Sequence, residues 1–183
     1  MNTQLFMDTA RAIVPIVEPE VLRDGEHTFE RCRKVTEEAL RNGFIQLKCQ
    51  RVIMEGIILK PNRVLPGLTC PQQASDEAGA DMTVPCFRRN VPAAVPGIAF
   101  VSGGQSAELA SARLNAMNVR FKSRVLWAWS FSYGRSLQQP ALETWHGQDA
   151  NVQAAQQALL HRARCNRAAR RGEYQTPMEG DRL

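Results

Sequence analysis

Several features that mark whole classes of protein are absent from this 183-residue sequence. It contains no apolar run approaching the roughly 20 residues of a membrane-spanning helix. Its first eleven residues lack the long apolar stretch of a secretory leader. Aromatic residues are only 7% of the chain, and none is interleaved with the arginines of the C-terminal region, as stacking on bases requires. We therefore expect a cytoplasmic protein whose partners include neither membranes nor nucleic acid.

The cysteine content and the distribution of charge limit the possible classes of protein further. The five cysteines are an odd number without metal-type spacing, which predicts a reduced compartment and neither a disulfide framework nor a metal site. The net charge is +5, and much of the excess lies in one helical stretch: Arg162, Arg164, Arg167, Arg170 and Arg171. We interpret this stretch as a solvated basic face near a helix end. The alternative is a patch for an acidic partner.

Four short, mostly apolar segments are present instead: 14–18, 53–60, 97–102 and 126–133. Apolar runs without polar alternation are typical of parallel strands buried on both faces. Apolar residues recur at helical spacing in three further segments: 25–41, 106–118 and 151–171. The alternation of strand and helix predicts a single α/β domain over residues 1–183, with a parallel sheet.

The first two strand ends carry candidate catalytic residues. In GIILKP at 56–61, Lys60 stands where a buried strand ends. Desolvation favours the neutral amine, which can attack a carbonyl group and form a Schiff base; the alternative is a solvated strand end. Glu18 and Glu20 share one face of an extended segment and could supply a proton donor and an acceptor. Simple acceptance of backbone hydrogen bonds is the alternative for both carboxylates.

The other two strand ends are suited to binding an anion. Ser102 and Gly103 follow the third segment and precede a helix, where glycine permits close approach and exposed N–H groups point toward a phosphate. Gly134 and Arg135 follow the fourth segment, and the arginine fork matches a phosphate. The alternative for Ser102 and Gly103 is a plain tight turn, and the alternative for Arg135 is a surface salt bridge. Neighbouring strand ends of this kind hold phosphates in eight-stranded barrels.

These segments together resemble the class I fructose-bisphosphate aldolases. The main motifs appear in the family's order and at nearly its spacing: VPIVEPE at 14–20, EGIILKPN at 55–62, SGGQS at 102–106 and FSYGR at 131–135. Two more match as well: LNAMN at 114–118 and NVQAAQ at 151–156. The resemblance runs from about residue 12 to residue 174 and so covers most of the chain. Several long motifs in register make it specific.

The resemblance implies a (β/α)8 TIM barrel, of which the four βα units here are the C-terminal half, strands five to eight. It implies Schiff-base cleavage of fructose 1,6-bisphosphate to dihydroxyacetone phosphate and glyceraldehyde 3-phosphate, a lyase step of glycolysis, with no metal and no cofactor. Lys60 would form the imine. Glu18 would be the acid and base, with Glu20 as a neighbouring carboxylate. The ligands of a substrate phosphate would be Ser102, Gly103, Gly134 and Arg135.

The sequence also departs from the family. Segments matching the first four strands and the C-terminal tyrosine tail are missing. Asn42-Gly43 is expected to interrupt the first helix, and Pro85 to damage the helix after the second strand. Four strands leave two open edges and an uncovered apolar face, which predicts a homo-oligomer or a complementary barrel half as partner, besides the sugar-phosphate substrate. Two hypotheses stay open: an aldolase, or a degenerate, non-catalytic sugar-phosphate-binding or interaction protein derived from one.

Overall fold

The computed structural model describes residues 13–124 and 126–180. Four parallel strands lie side by side in chain order: β1 (Ile16–Val17), β2 (Ile58–Leu59), β3 (Gly97–Phe100) and β4 (Ala128–Phe131). The helices of the described residues are α1 (Phe29–Cys49), α2 (Asp76–Asn90), α3 (Ala107–Phe121), α4 (Arg135–Trp145) and α5 (Val152–Arg171). The predicted α/β class, parallel sheet and strand order are confirmed.

The strand register sorts side chains onto two faces. Leu59 pairs with Ile98, and Ile98 with Trp129; all three are buried. This face carries the core, in which Phe87 of α2 lies 6.0 Å from the Trp129 ring, centroid to centroid. The opposite face is less well covered, since Ile16 on β1 is 51% exposed and Ile58 and Ala99 on the inner strands are half-buried. The sheet therefore has one face covered by helices and one that is partly open.

The strands are shorter than the apolar segments predict. The second segment begins with the 3-10 turn Met54–Gly56, and pairing starts only where the Ile58 N–H donates to the Pro15 carbonyl. Proline has no N–H of its own to give to a ladder. The paired part of β1 is consequently limited to Ile16–Val17.

Two expected helix interruptions are wrong. Helix α1 continues through Gly43, and α2 contains Pro85. In α1 the side chains of Phe44 and Leu47, just beyond the glycine, are buried. Each such burial contributes about 1.5–3 kcal/mol, which exceeds the ~1 kcal/mol that glycine costs in a helix. Tertiary packing thus overrides the local preference.

Candidate functional site

The carboxyl ends of β1 and β2 bring Lys60 and Glu18 together. The ladder continues one step past β2, because the Lys60 N–H donates to the Val17 carbonyl. This places Lys60 Nζ 3.0 Å from Glu18 Oε2. The Lys60 side chain is 22% exposed and that of Glu18 51% exposed. The amine is therefore close to a carboxylate that can exchange protons with it, and it remains reachable from solvent.

Asn62, which the sequence interpretation overlooked, fastens the segment that carries Glu18. It is buried, and its Oδ1 accepts from the Val21 N–H at 2.9 Å. Its Nδ2 donates to Thr36 Oγ1 on α1 at 3.1 Å. The signal was available, since an amide directly after a Lys-Pro pair at a strand end is well placed to tie loops together. Glu20 is exposed, and no hydrogen bond within the described residues joins it to this cluster.

The backbone of the loop after β3 forms a turn that a ligand could approach closely. Ser102 is buried, and Gly103 and Gly104 have φ of +59° and +73°, a left-handed conformation that favours glycine. The Ser136 Oγ donates to the Gln105 carbonyl at 2.9 Å. That bond joins the loop to the first turn of α4.

The start of α4 offers a second anion-binding element. Gly134 occupies the N-cap position, and no side chain caps the helix in the described part of the chain. The first N–H groups of an uncapped helix have no intrahelical partner and are available to an anion. Arg135 is the first helical residue and is exposed. The structure thus brings the Ser102 loop and the Gly134–Arg135 turn to neighbouring strand ends.

Three buried arginines that the sequence interpretation missed surround the same loop. A Cβ on Gly103 would lie 3.4 Å from Arg23 Cδ. Arg63 and Arg113 both donate to Gln105 Oε1, at 3.5 and 3.1 Å. Burial, with the neighbouring Arg113 and Arg63 guanidinium groups, lowers the pKa of Arg23 to about 10. Asp76 Oδ1 pairs with Arg113 Nε at 3.2 Å and offsets part of this charge. The remaining positive charge behind the loop favours an anionic ligand.

Tyr133 ties this arginine cluster to β4. The Arg63 guanidinium donates to the Tyr133 hydroxyl at 2.6 Å and lies 5.5 Å from the centre of its ring. Burial raises the pKa of the Tyr133 phenol, and Arg63 opposes that shift only in part. The signal for Arg63 and Arg113 was their place as the single charged residue of two otherwise uncharged stretches, PNRVLPG at 61–67 and ASARLNA at 110–116.

The prediction of a solvated basic face on α5 is wrong for Arg162. This side chain is buried and donates to the Ala107 carbonyl and Ser111 Oγ, each at 2.9 Å. It also pairs with Glu179. The reason is that α5 packs against α3 along this side. The remaining arginines of the stretch are exposed: Arg164, Arg167, Arg170 and Arg171.

The comparisons with known proteins all identify the same family. The family described as "Glycolytic: Fructose-bisphosphate aldolase class-I" matches residues 7–182. A fructose-bisphosphate aldolase of Dictyostelium discoideum is 49% identical over 162 residues, which are 88% of this chain and 45% of that protein. The cytoplasmic isozyme 2 of fructose-bisphosphate aldolase from Pisum sativum is also 49% identical over 162 residues, which are 88% of this chain and 45% of that protein. The chain spans about half the length of the curated relatives it matches.

A solved structure agrees with the sequence relatives. Fructose-bisphosphate aldolase from Plasmodium falciparum, crystallised in complex with TRAP and a small-molecule inhibitor, superposes with a TM-score of 0.86 at 45% sequence identity. The match covers 89% of this chain and 46% of that one. The four βα units correspond to part of a TIM barrel, as expected. Among the described residues, the helices are too short or too polar to cross a membrane.

Proposed function

Since this chain belongs to the class-I fructose-bisphosphate aldolase family, we propose that it carries the imine-forming part of an aldolase site. The substrate class is a ketose phosphate, with fructose 1,6-bisphosphate as the glycolytic substrate. The observation that carries the proposal is the 3.0 Å approach of Lys60 Nζ to Glu18 Oε2 at neighbouring strand ends. A nucleophilic amine beside a proton-exchanging carboxylate is the minimum that Schiff-base chemistry requires.

The proposed reaction begins when the neutral Lys60 amine adds to the C2 ketone, forming a carbon–nitrogen bond. One proton passes from the attacking nitrogen to the C2 oxygen, Glu18 donates a second proton to the same oxygen, and that oxygen leaves as water to give the protonated imine. The protonated imine then withdraws the electron pair of the C3–C4 bond as that bond breaks, while Glu18 accepts the proton of the C4 hydroxyl. Glyceraldehyde 3-phosphate departs. A proton returns to C3 of the enamine, and water hydrolyses the imine to dihydroxyacetone phosphate and free Lys60.

We propose that the remaining site residues hold and orient the substrate. Ser102 and Gly103 on one loop, and Gly134 and Arg135 on the next, would bind a phosphate. The left-handed glycines, the uncapped start of α4 and the buried arginines support this assignment. Glu20 remains the proposed neighbouring carboxylate, and the pea relative's name supports a cytoplasmic location. A complementary barrel half or a second copy would cover the open sheet face.

Borohydride trapping tests the catalytic part of this proposal. The chain is incubated with dihydroxyacetone phosphate, reduced, and digested for mass spectrometry. We expect the adduct on Lys60 and its loss in Lys60→Arg, which keeps the positive charge beside Glu18 but cannot form an imine. Lys48→Arg, an exposed position in the last turn of α1, is the matched control and should leave the adduct unchanged.

The outcome also separates the two hypotheses. Sugar-phosphate binding by calorimetry without any adduct on Lys60 would favour a non-catalytic binding protein of aldolase descent. An adduct spread equally over Lys48 and Lys60 would mean that the Lys60 amine has no special reactivity, and the catalytic proposal would be wrong.

A further inference from the structure

A cluster of three potential metal ligands lies away from the proposed aldolase residues. His161 and Cys165 are one turn apart on α5, and Glu179 ends the 3-10 turn Thr176–Glu179. The His161 Nε2, the Cys165 Sγ and a Glu179 carboxylate oxygen all lie within 4.8 Å of one another. Cys165 is buried, whereas His161 and Glu179 are partly exposed. Imidazole, thiolate and carboxylate are all ligands that Zn²⁺ accepts.

The arrangement differs from a catalytic cysteine–histidine–carboxylate triad. In a triad, opposite ring nitrogens of the histidine face the nucleophile and the carboxylate. Here the same nitrogen, His161 Nε2, faces both partners, with Cys165 Sγ at 3.7 Å and Glu179 Oε2 at 3.4 Å. Ligands around a shared metal ion show this pattern, in which three donor atoms point toward a common centre.

The two separations that involve His161 Nε2 fit a tetrahedral ion, and the sulfur and the carboxylate oxygen lie within 4.8 Å of each other. With zinc bonds of about 2.3 Å to sulfur, 2.05 Å to nitrogen and 2.1 Å to oxygen, tetrahedral angles separate sulfur from nitrogen by roughly 3.6 Å and nitrogen from oxygen by roughly 3.4 Å. The observed separations around His161 Nε2 are 3.7 and 3.4 Å. We propose that His161, Cys165 and Glu179 form a three-ligand site for a divalent transition metal, with Zn²⁺ as the best match.

A second layer of contacts holds the carboxylate in place. Arg162 donates to Glu179 Oε2, and the Tyr174 hydroxyl donates to Glu179 Oε1 at 2.7 Å. Partners that orient a ligating carboxylate are a regular feature of metal sites.

The site has an open side. His161 and Glu179 line a cavity of about 1160 Å³ between α4 and α5, while Cys165 lies on the buried side. Three protein ligands with solvent at the fourth position characterise exchangeable or catalytic zinc sites, whereas structural sites have four protein ligands. None of the seven residues proposed for the aldolase reaction lines this cavity. The site therefore adds a metal-dependent property that is independent of Schiff-base chemistry.

Cobalt binding tests the proposal, because Co²⁺ replaces Zn²⁺ and absorbs visible light. The 183-residue chain, reduced with a phosphine and freed of metal, is titrated with CoCl₂. We expect a 1:1 complex with a cobalt–thiolate charge-transfer band and the visible bands of tetrahedral cobalt, bleached by one equivalent of ZnCl₂. Cys165→Ser should abolish the thiolate band. Cys49→Ser, which removes an exposed thiol on α1, should leave both the band and the stoichiometry unchanged.

His161→Gln provides a second, independent test. This position is partly exposed, so the test still works if the Cys165→Ser variant fails to fold. With helical circular dichroism unchanged, it should weaken cobalt binding by at least tenfold. A hydrogen-bonded cluster without metal affinity would give no tetrahedral spectrum at one equivalent. That result would show that the proposed metal site is wrong. The same conclusion would follow if the thiolate band kept its full strength in Cys165→Ser or in His161→Gln.

Discussion

Arg162 and Glu179 form the most enclosed ion pair of the described residues, with side chains 3% and 19% exposed. Burial of two charges is costly unless their remaining hydrogen-bonding groups are satisfied. Arg162 meets this condition in large part, through the Ala107 carbonyl and Ser111 Oγ. Tyr174 and His161 complete the surroundings of Glu179. At the residue scale, this pair joins α5 to α3 and to the chain that follows α5.

Glu179→Gln should destabilise the protein in a pH-dependent manner. The folded state lowers the pKa of Glu179 below its ordinary value of 4.5, so the stabilisation is present above pH 4.5 and is lost as pH falls through the folded-state pKa. Urea midpoints measured in EDTA should differ clearly between wild type and variant at pH 7, and much less at pH 3. Glu173→Gln breaks only the exposed pair with Arg171 and should change little at either pH. An equal difference at both pH values would contradict the ionic account.

Arg135→Ala should weaken binding of dihydroxyacetone phosphate by roughly 10–100-fold, the equivalent of about 1.5–3 kcal/mol for a hydrogen bond to a charged group. Arg135→Lys should lie between wild type and Ala, because lysine keeps the charge but loses the fork. Isothermal calorimetry at constant ionic strength measures both. Arg124→Ala is the control, since this exposed arginine precedes β4 at the amino end of the sheet. Identical affinities for wild type and both Arg135 variants would refute the phosphate assignment.

Helix α1 shows at the element scale how packing and local preference compete. Its apolar face buries Cys32, Leu40, Phe44 and Leu47. Thr28 caps its start by accepting from the Arg31 N–H, and Lys48 lies in its last turn, where a cation suits the helix dipole. Gly43 is the weak point, because a glycine inside a helix carries extra backbone entropy in the unfolded state.

Gly43→Ala should stabilise the protein by about 0.5–1 kcal/mol, since alanine restricts the unfolded chain and no atom lies within 4 Å of the added Cβ. Urea denaturation should show a higher midpoint with an unchanged slope. Gly67→Ala is the contrasting variant, because its Cβ would lie 2.1 Å from the Gly25 carbonyl oxygen. We expect that variant to lose about 1–3 kcal/mol. A destabilised Gly43→Ala protein would contradict this prediction, because it would mean that the position does not accept a methyl group.

The whole molecule presents a four-stranded parallel sheet whose edges are β1 and β4. Ile16 on β1 and Leu126 before β4 are 51% and 73% exposed. An apolar groove of about 290 Å³ runs between β1 and α1 and is lined in part by Ile16, Phe44 and Leu47. Parallel sheets normally have both faces covered, and open strand edges invite pairing. These surfaces favour a partner that continues the barrel.

A separately produced polypeptide containing the first four βα units of a relative should bind this chain and raise aldolase turnover. Burial of the apolar sheet face provides the driving force. Sedimentation velocity and a coupled activity assay would measure the two effects. Ile16→Glu should weaken the association, whereas Leu109→Glu, on the exposed side of α3, should not. Association that is equally sensitive to both substitutions would indicate a non-specific hydrophobic contact.

The sequence alone determined the α/β class, the strand order and the family, because these depend on apolar runs and on long contiguous motifs that are local in the chain. It also put Glu18 and Lys60 at strand ends, since parallel strands in a barrel gather their carboxyl ends at one rim. It could not foresee that α1 passes through Gly43 or that α2 accommodates Pro85. Those outcomes depend on buried partners contributed by distant elements.

Tertiary structure decided every feature built from residues far apart in the chain. Arg162 looked like one solvated arginine among five, and its burial follows from the packing of α5 on α3 and from Glu179, 17 residues onward. Arg23, Arg63 and Arg113 converge on the Ser102 loop from three separate segments. The His161, Cys165 and Glu179 cluster depends on a turn that folds back over α5. Spacing along the chain fixes which side chains share one helix face or strand end, but only packing brings separate segments within contact distance.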